Sequence, residues 1–82
     1  MFYTYVLLSG KDQKTYIGWT IDLKNRLAKH TAGEVAATKN RRPLKLIYYE
    51  ACINKEQAII REKQLKTGYG RKYIKHRTQD AE

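Results

Sequence analysis

The first thirty residues hold two runs of strand-forming residues, joined by a turn and followed at once by a helical pattern. Aromatic, β-branched and apolar residues fill positions 3–8 (YTYVLL), and a similar run resumes at positions 15–19 (TYIGW). Residues 9–12 (SGKD) supply turn chemistry for a loop of about four residues. The stretch therefore predicts an antiparallel hairpin that leads into a helix.

The loop length sets which residues of the hairpin face each other. With a loop at residues 9–12, Tyr5 falls directly opposite Tyr16. Opposed residues share a face of the sheet, so the two phenols should stand about 5 Å apart at Cβ. Gly18 follows in the second strand, where an isolated glycine indicates a bulge or the close approach of another group.

Helix signals begin directly after the hairpin. Either Thr20 or Asp22 can cap a helix that carries an apolar pair at Leu23 and Leu27, and Gly33 can end it. Asp22, Arg26 and His30 are spaced by four and form one stripe beside the apolar pair. We therefore expect the Arg26 guanidinium and the His30 imidazole at the rim of the buried face.

The remaining chain predicts one more strand and two more helices. Residues 31–42 read as a loop, Pro43 opens a strand over residues 44–51, and residues 71–77 form a last short basic helix after a helix that ends at residues 67–70. Strict alternation places the strand residues on two faces, with Leu44, Leu46, Tyr48 and Glu50 on one and Lys45, Ile47, Tyr49 and Ala51 on the other. The predicted fold class is α+β, a small three-stranded antiparallel sheet flanked by helices in the order β-β-α-β-α-α.

One carboxylate lies on an apolar helical stripe. Asn54 and Gln57 have the spacing of a capping box, and the helix that they begin carries Ala58 and Leu65 on the same face as Glu62. Burying a carboxylate there is costly unless it has a partner. The partner is either a basic residue of the first helix, with Arg26 the candidate for an ion pair, or a metal ion.

Length and composition limit the chain to one small domain. Its 82 residues bury only about 60–65% of the unfolded surface. We expect a domain over residues 1–78 and a frayed tail over 79–82. Cys52 is the only cysteine, which excludes an internal disulfide and a multi-cysteine zinc site. Without a long apolar run or a signal-peptide pattern, the expected location is cytoplasmic, away from membranes.

The charge points to a polyanionic partner. Lys and Arg total 17 against eight Asp and Glu, a net charge of +9, and residues 63–79 hold six basic residues and no acid. Nucleic acid is the first hypothesis, with DNA before RNA. The basic residues expected to contact it are Lys24, Lys39, Arg41, Arg42, Arg71, Lys72 and Lys75. The aromatic residues available for stacking on bases are Trp19, Tyr48 and Tyr69.

The spacing of five side chains resembles the GIY-YIG nuclease signature. Tyr16-Ile17-Gly18 matches its second element letter for letter, whereas Tyr3-Thr4-Tyr5 keeps only the last tyrosine of its first. Arg26, His30 and Glu62 follow at the expected places. From Phe2 to about Arg77 the chain resembles the small stand-alone members of that family, which are similar to the incision module of bacterial excision repair. It lacks the late asparagine that many members carry, because no asparagine follows Asn54.

The resemblance implies a catalytic set made of Tyr5, Tyr16, Arg26, His30 and Glu62. Glu62 would bind one Mg²⁺ or Mn²⁺, Arg26 would clamp the phosphate, and Tyr16 would orient the attacking water. Two general bases remain open, because the ordinary pKa of a tyrosine is about 10. One is Tyr5 itself, and the other is His30 acting through Tyr5.

Two functions of different classes follow. The first is a divalent-metal-dependent endonuclease that hydrolyses phosphodiester bonds in DNA, with repair or recombination structures among its candidate substrates. The second is a non-catalytic nucleic-acid-binding module that uses the same fold and basic surface. Sequence specificity would need a further protein subunit or a dimer, because 82 residues offer little surface for it.

Overall fold

The computed structural model describes residues 1–78, which form three strands and three α-helices. The element order is β1 (Phe2–Ser9), β2 (Thr15–Thr20), α1 (Leu23–Ala32), a short 3₁₀ turn (Lys39–Arg41), β3 (Leu44–Cys52), α2 (Lys55–Leu65) and α3 (Gly68–Thr78). The strands make one antiparallel sheet in the order β2-β1-β3, so the predicted α+β class and element order are confirmed. Within residues 1–78, none of the helices has the length and apolar character needed to cross a bilayer.

The sheet carries helices on both faces. Side chains alternate along β1, so Tyr5 and Val6 point to opposite faces. His30 of α1 meets the Tyr5 face, while Leu65 of α2 and Ile74 of α3 pack with Val6 in the main apolar cluster. The Tyr5 and His30 part of the candidate site therefore lies on the α1 face, away from that cluster.

The hairpin register differs from the predicted one by two residues. Tyr5 pairs with Gly18, and Tyr16 pairs with Leu7. The predicted turn began too early, because Ser9 belongs to β1, and the turn follows it over residues 10–14. The Ser9 Oγ accepts hydrogen bonds from the backbone N–H groups of Lys11 and Asp12. A shift of two residues preserves the faces, so the two tyrosines still lie on the same side of the sheet.

The alternation predicted for the third strand is wrong in its second half. β3 pairs Tyr48 with Val6 but Leu46 with Leu7, which leaves Ile47 as an extra residue in the ladder. Such a bulge exchanges the faces of all later residues. Tyr49 consequently pairs with Tyr5 on the face that carries Leu46, and Tyr48 turns toward the helices α2 and α3.

The helix caps follow the local sequence. Asp22 caps α1 and accepts a hydrogen bond from the backbone N–H of Asn25, and Gly33 ends the helix with a φ of 79°. Asn54 caps α2. The last helix is longer than expected, since α3 begins at Gly68, and Gly70 lies against the Leu65 backbone where no side chain would fit. The predicted fraying of residues 79–82 lies outside the described residues.

Candidate active site

The Tyr5 side chain lies at the centre of the predicted site. Tyr5 is 1% exposed, and its hydroxyl oxygen lies 2.9 Å from Nε2 of His30. A Cβ at Gly18 would lie 2.7 Å from that oxygen, so the Tyr5 ring end covers Gly18. The predicted close approach at Gly18 is thus made by Tyr5, across the strand pair.

A threonine that the sequence did not single out completes this hydrogen-bonded chain. Oγ1 of Thr38 lies 2.7 Å from Nδ1 of His30, and Thr38 is fully buried. The segment around Thr38 was predicted only as a loop, and one threonine among small residues gives no periodic signal. The available clue was His30 itself, because a buried imidazole needs a partner on each ring nitrogen.

The surroundings of Tyr5 hold its proton firmly. Together these surroundings raise the pKa of Tyr5 to about 12: burial contributes most, Tyr16 and Glu62 add to the shift, and Arg26 opposes it. The charges of Arg26 and Glu62 therefore both act on the Tyr5 phenol. These two residues come from α1 and from α2, so helices on both faces of the sheet contribute charge to one hydroxyl.

The same burial keeps His30 neutral. Burial lowers the pKa of His30, and the positive charge of Arg26 lowers it further. A neutral imidazole has one donor and one acceptor nitrogen. If the Tyr5 hydroxyl donates to Nε2, Nδ1 carries the hydrogen and donates to Thr38. His30 is 1% exposed, so the expectation that its imidazole lies at the rim was wrong, because α1 presses it between Tyr5 and Tyr16.

Tyr16 and Arg26 are the more accessible members of the set. Both are partly exposed, and the Tyr16 ring meets the His30 ring edge-on at 5.3 Å between centroids. Asp22 uses its carboxylate to cap α1, and among residues 1–78 no ion pair of Arg26 occurs within 4.0 Å. Arg26 is therefore available for an anionic ligand.

Glu62 has a different ionic partner from the one expected. Its carboxylate lies 3.4 Å from the ammonium of Lys66 one turn later on α2, and its side chain is 18% exposed. The predicted ion pair with Arg26 is not formed. Lys66 is 55% exposed on its side chain, and a surface pair of this kind contributes little and is readily exchanged.

Tyr16 of the outer strand β2 lines a cavity together with Leu65 of α2, the helix that carries Glu62. This cavity, of about 320 Å³, is lined by Lys66 and Arg71 as well. Lys66 is the residue paired with Glu62. Tyr16 and the lysine paired with Glu62 thus line the same cavity.

The seven predicted nucleic-acid contacts lie in separate places. Lys24 borders one cavity beside α1, Lys39 and Arg42 border a second of about 550 Å³, and Arg71 and Lys75 border a third of about 630 Å³. Lys72 is exposed on α3. No single cavity brings these residues together, and their role in binding stays a prediction.

Two of the predicted arginine contacts already serve the fold. The Arg41 guanidinium pairs with Asp12 at 2.9 Å and donates to the carbonyl of Lys14. Arg42 donates to the carbonyls of Lys39 and Thr31. Arg41 therefore fastens the hairpin loop to the segment before β3.

The predicted stacking aromatics differ in exposure. Tyr69 is 67% exposed, whereas Trp19 is half-buried under the ammonium of Lys55 at 5.5 Å. Tyr48 donates a short hydrogen bond to Glu50 and packs edge-on against Tyr73. Only Tyr69 among the three offers an open ring.

A family model described as the GIY-YIG catalytic domain matches residues 1–75. The chain belongs to the GIY-YIG family. It accordingly has the fold of a nuclease family, with the Tyr5, Tyr16 and Glu62 positions inside the matched region.

Relatives of this GIY-YIG protein carry names that state no activity. One is the UPF0213 protein in the ldhD 5′ region of Pediococcus acidilactici, 42% identical over 64 residues, which are 74% of this chain and 64% of the relative. The UPF0213 protein of Staphylococcus haemolyticus is 41% identical over 66 residues, 79% of each chain. The solution NMR structure of a UPF0213 protein from Bacillus halodurans has a TM-score of 0.56 and 31% identity, over 90% of this chain and 82% of that one.

Proposed function

We propose that this protein is a divalent-metal-dependent endonuclease that hydrolyses phosphodiester bonds in DNA. The observation that carries the proposal is the convergence on one tyrosine hydroxyl. His30 bonds it directly, and Tyr16, Arg26 and Glu62 all act on its pKa. A packing tyrosine in a small core has no need of an imidazole at its oxygen or of two opposite charges close enough to influence its pKa.

Each side chain has a role that matches its position. Arg26, partly exposed and outside any ion pair within residues 1–78, would hold the phosphoryl oxygens with its planar fork. Tyr16, the more exposed phenol, would orient the attacking water. Tyr5 would accept the proton of that water as its own proton passes to Nε2 of His30, 2.9 Å away.

The donor set suits a metal bound through a single carboxylate. Among residues 1–78 no cluster of three or more His, Cys, Asp or Glu side chains could enclose an ion. Glu62 is a partly exposed carboxylate whose ionic partner is a surface lysine. One carboxylate with waters and substrate oxygens is a common way to hold Mg²⁺. A bound Mg²⁺ or Mn²⁺ would supply charge stabilisation to the phosphoryl and leaving oxygens.

Cleavage of labelled DNA tests the proposal. Single-stranded, duplex, flap and branched substrates are incubated with Mg²⁺ and then with excess EDTA. We expect cleavage with Mg²⁺ only, and a loss of about 10²-fold or more in Glu62→Gln and in Arg26→Ala, because each removes one group that stabilises transition-state charge. Glu56→Gln and Lys29→Ala are matched controls on the same helices and should keep full activity.

Thermal melts separate a chemical defect from unfolding. Glu62→Gln loses only a surface ion pair, so its melting temperature should stay close to that of the parent. Full activity in Glu62→Gln and Arg26→Ala would overturn the proposed site. DNA binding without metal-dependent cleavage of any substrate would favour the non-catalytic binding module instead.

A further inference from the structure

A cavity between β2 and the helices α2 and α3 lies on the opposite side of β2 from Tyr5. It has a volume of about 630 Å³ and a basic rim over an apolar floor. We name it the basic groove and define it by the four cations of its rim and by two partly exposed apolar residues of its floor: Lys14, Lys45, Arg71 and Lys75, with Leu8 and Ile47. Among residues 1–78 no acidic side chain lines it, and Lys14, Arg71 and Lys75 take part in none of the ion pairs found there.

The basic groove runs on into the cavity beside the candidate site. The two cavities share Thr15, Ile17, Leu65 and Arg71, and the smaller one also includes Tyr16 and Lys66. The Tyr16 side chain lies on the Tyr5 face of the sheet and the basic groove on the other face, so a strand that runs from the candidate site into the groove has to turn around the edge of β2. That edge is free, because β2 is an outer strand of the sheet.

We propose that a DNA strand leaving the cleaved bond passes over this edge into the basic groove as a single strand. The substrate class is then DNA in which an unpaired segment adjoins the cleavage point. This inference rests on the proposed nuclease function and specifies its substrate.

The shape of the path excludes a double helix. The molecule measures 30 × 26 × 19 Å, and the path turns from one face of the sheet to the other within it. Duplex DNA has a persistence length of about 50 nm and cannot follow such a turn. A single strand bends freely, its phosphates can pair with Arg71 and Lys75, and an unstacked base can lie on the apolar floor.

Binding measurements test the charged rim. The Glu62→Gln variant, without metal, is titrated with a fluorescent 12-nucleotide strand and with the corresponding duplex. Adding Arg71→Ala and Lys75→Ala together should weaken single-strand binding about tenfold and lower its salt slope by about 1.4, at about 0.7 per phosphate contact. Duplex affinity should change less than threefold. The control pair Lys29→Ala and Lys63→Ala removes the same charge elsewhere and should leave the single-strand slope unchanged.

NMR of side-chain methyl groups tests the apolar floor. We expect the methyl resonances of Leu8 and Ile47 to shift on addition of the single strand and to stay unmoved with the duplex. Unmoved methyls with the single strand, or equal shifts with both ligands, would overturn the proposed path. So would an Arg71→Ala/Lys75→Ala variant that keeps its single-strand affinity and salt slope.

These outcomes separate the substrate path from the nuclease activity. Metal-dependent cleavage with no effect of the rim substitutions would leave the nuclease and remove the path. Groove-dependent single-strand binding without any cleavage would remove the nuclease and leave a single-strand-binding groove.

Discussion

At the scale of single residues, the Tyr5 hydroxyl is the group whose chemistry the fold controls most closely. With a pKa of about 12, Tyr5 is ionised in about one molecule in 10⁵ at pH 7. His30 is neutral there, since burial lowers its pKa, and its Nε2 can accept a proton. Passing a proton through Tyr5 to His30 as the final acceptor therefore costs less free energy than forming a Tyr5 anion beforehand.

The pH dependence of cleavage distinguishes the two general bases. A neutral His30 is required, and its pKa lies below the ordinary 6.5. We expect the single-turnover rate at saturating DNA to be level from pH 8 to about 6.5 and to fall as the pH drops through the lowered pKa of His30. DNA affinity measured at each pH serves as the control. A rate that rises tenfold per pH unit from 7 to 10 would instead identify the Tyr5 anion as the base.

Thr38 should fix the tautomer of His30. Thr38→Val keeps the shape but removes the acceptor for Nδ1–H, so we expect a mixture of tautomers in the ¹⁵N spectrum of the His30 ring and a cleavage rate about tenfold lower. Leaving Nδ1 without a partner should also cost about 1–3 kcal/mol of unfolding free energy. Thr38→Ser keeps the hydroxyl and should restore both the tautomer and the rate.

A structural role alone would give a different pattern for Thr38. If Thr38→Val lowered stability but kept the Nδ1–H tautomer and the level part of the pH profile, Thr38 would support only packing. The geometry favours positioning, because Oγ1 lies 2.7 Å from Nδ1 on the side of the ring opposite Tyr5.

At the scale of secondary-structure elements, Thr4 ties the strand of Tyr5 to the helix of Glu62. Its hydroxyl donates to the carbonyl of Ala58 at 2.9 Å, and Thr4 is 2% exposed. In an α-helix the carbonyl of residue 58 also accepts from the N–H of residue 62, so this bond lies one turn before Glu62. Thr4 stands where the family signature has isoleucine, and it adds a polar link that isoleucine cannot make.

Removing that link tests how firmly α2 is held. Thr4→Val keeps the branched shape and should lower the unfolding free energy by about 1 kcal/mol in a denaturant titration. We also expect slower cleavage, because the turn that carries Glu62 loses its anchor on β1. Thr15→Val on the exposed end of β2 is the matched control and should change neither quantity. Equal stability of Thr4→Val and the parent would contradict the anchoring role.

Local chemistry made several elements predictable. Asn54 was predicted as a cap, and Asp22 as one of two candidates beside Thr20, because each side chain can act on N–H groups within three residues; Asp22 and Asn54 both do so. The shared face of Tyr5 and Tyr16 was also predictable, since it depends only on the parity of the register. The register itself was not, because it depended on whether Ser9 lay in the strand or in the turn.

Tertiary contacts decided what the sequence could not indicate. The bulge at Ile47 appears only when β3 pairs with β1, so alternation alone assigned Tyr48 and Tyr49 to the wrong faces. The ion pair of Glu62 with Lys66 was not predicted, because a carboxylate on an apolar stripe suggests a partner from another element rather than from the next turn of the same helix. Thr38 needed the folded loop to reach His30, eight residues away in sequence.

At the scale of the whole molecule, the arginines that stabilise the fold through ion pairs are different residues from the cations that line the basic groove. Asp12 and Glu50 are paired with Arg41 and Arg61, and the Arg41 contact lowers the pKa of Asp12 to about 2. These arginines stabilise connections between elements. Lys14, Arg71 and Lys75 of the basic groove have no such acidic partner among the described residues and remain available to a polyanion.

This division predicts opposite effects for two arginines. Arg41→Ala should lower the melting temperature and leave the salt slope of DNA binding unchanged, because its guanidinium is already bound to Asp12 and to the Lys14 carbonyl. Arg71→Ala should leave the melting temperature near that of the parent and lower the single-strand slope by about 0.7. A lower slope in Arg41→Ala would show that its ion pair opens to take DNA.

The burial of Tyr5, His30 and Thr38 has a consequence for comparing relatives. These side chains are each about 1% exposed or less, so in so small a protein they are part of its interior. A relative without the proposed nuclease activity would still retain them, since replacing any one would leave a cavity or a buried polar atom without a partner. Arg26 and Glu62 are partly exposed and could be substituted without such a cost. The presence of arginine and glutamate at these two positions, rather than of the tyrosines, should therefore identify relatives that have the proposed activity.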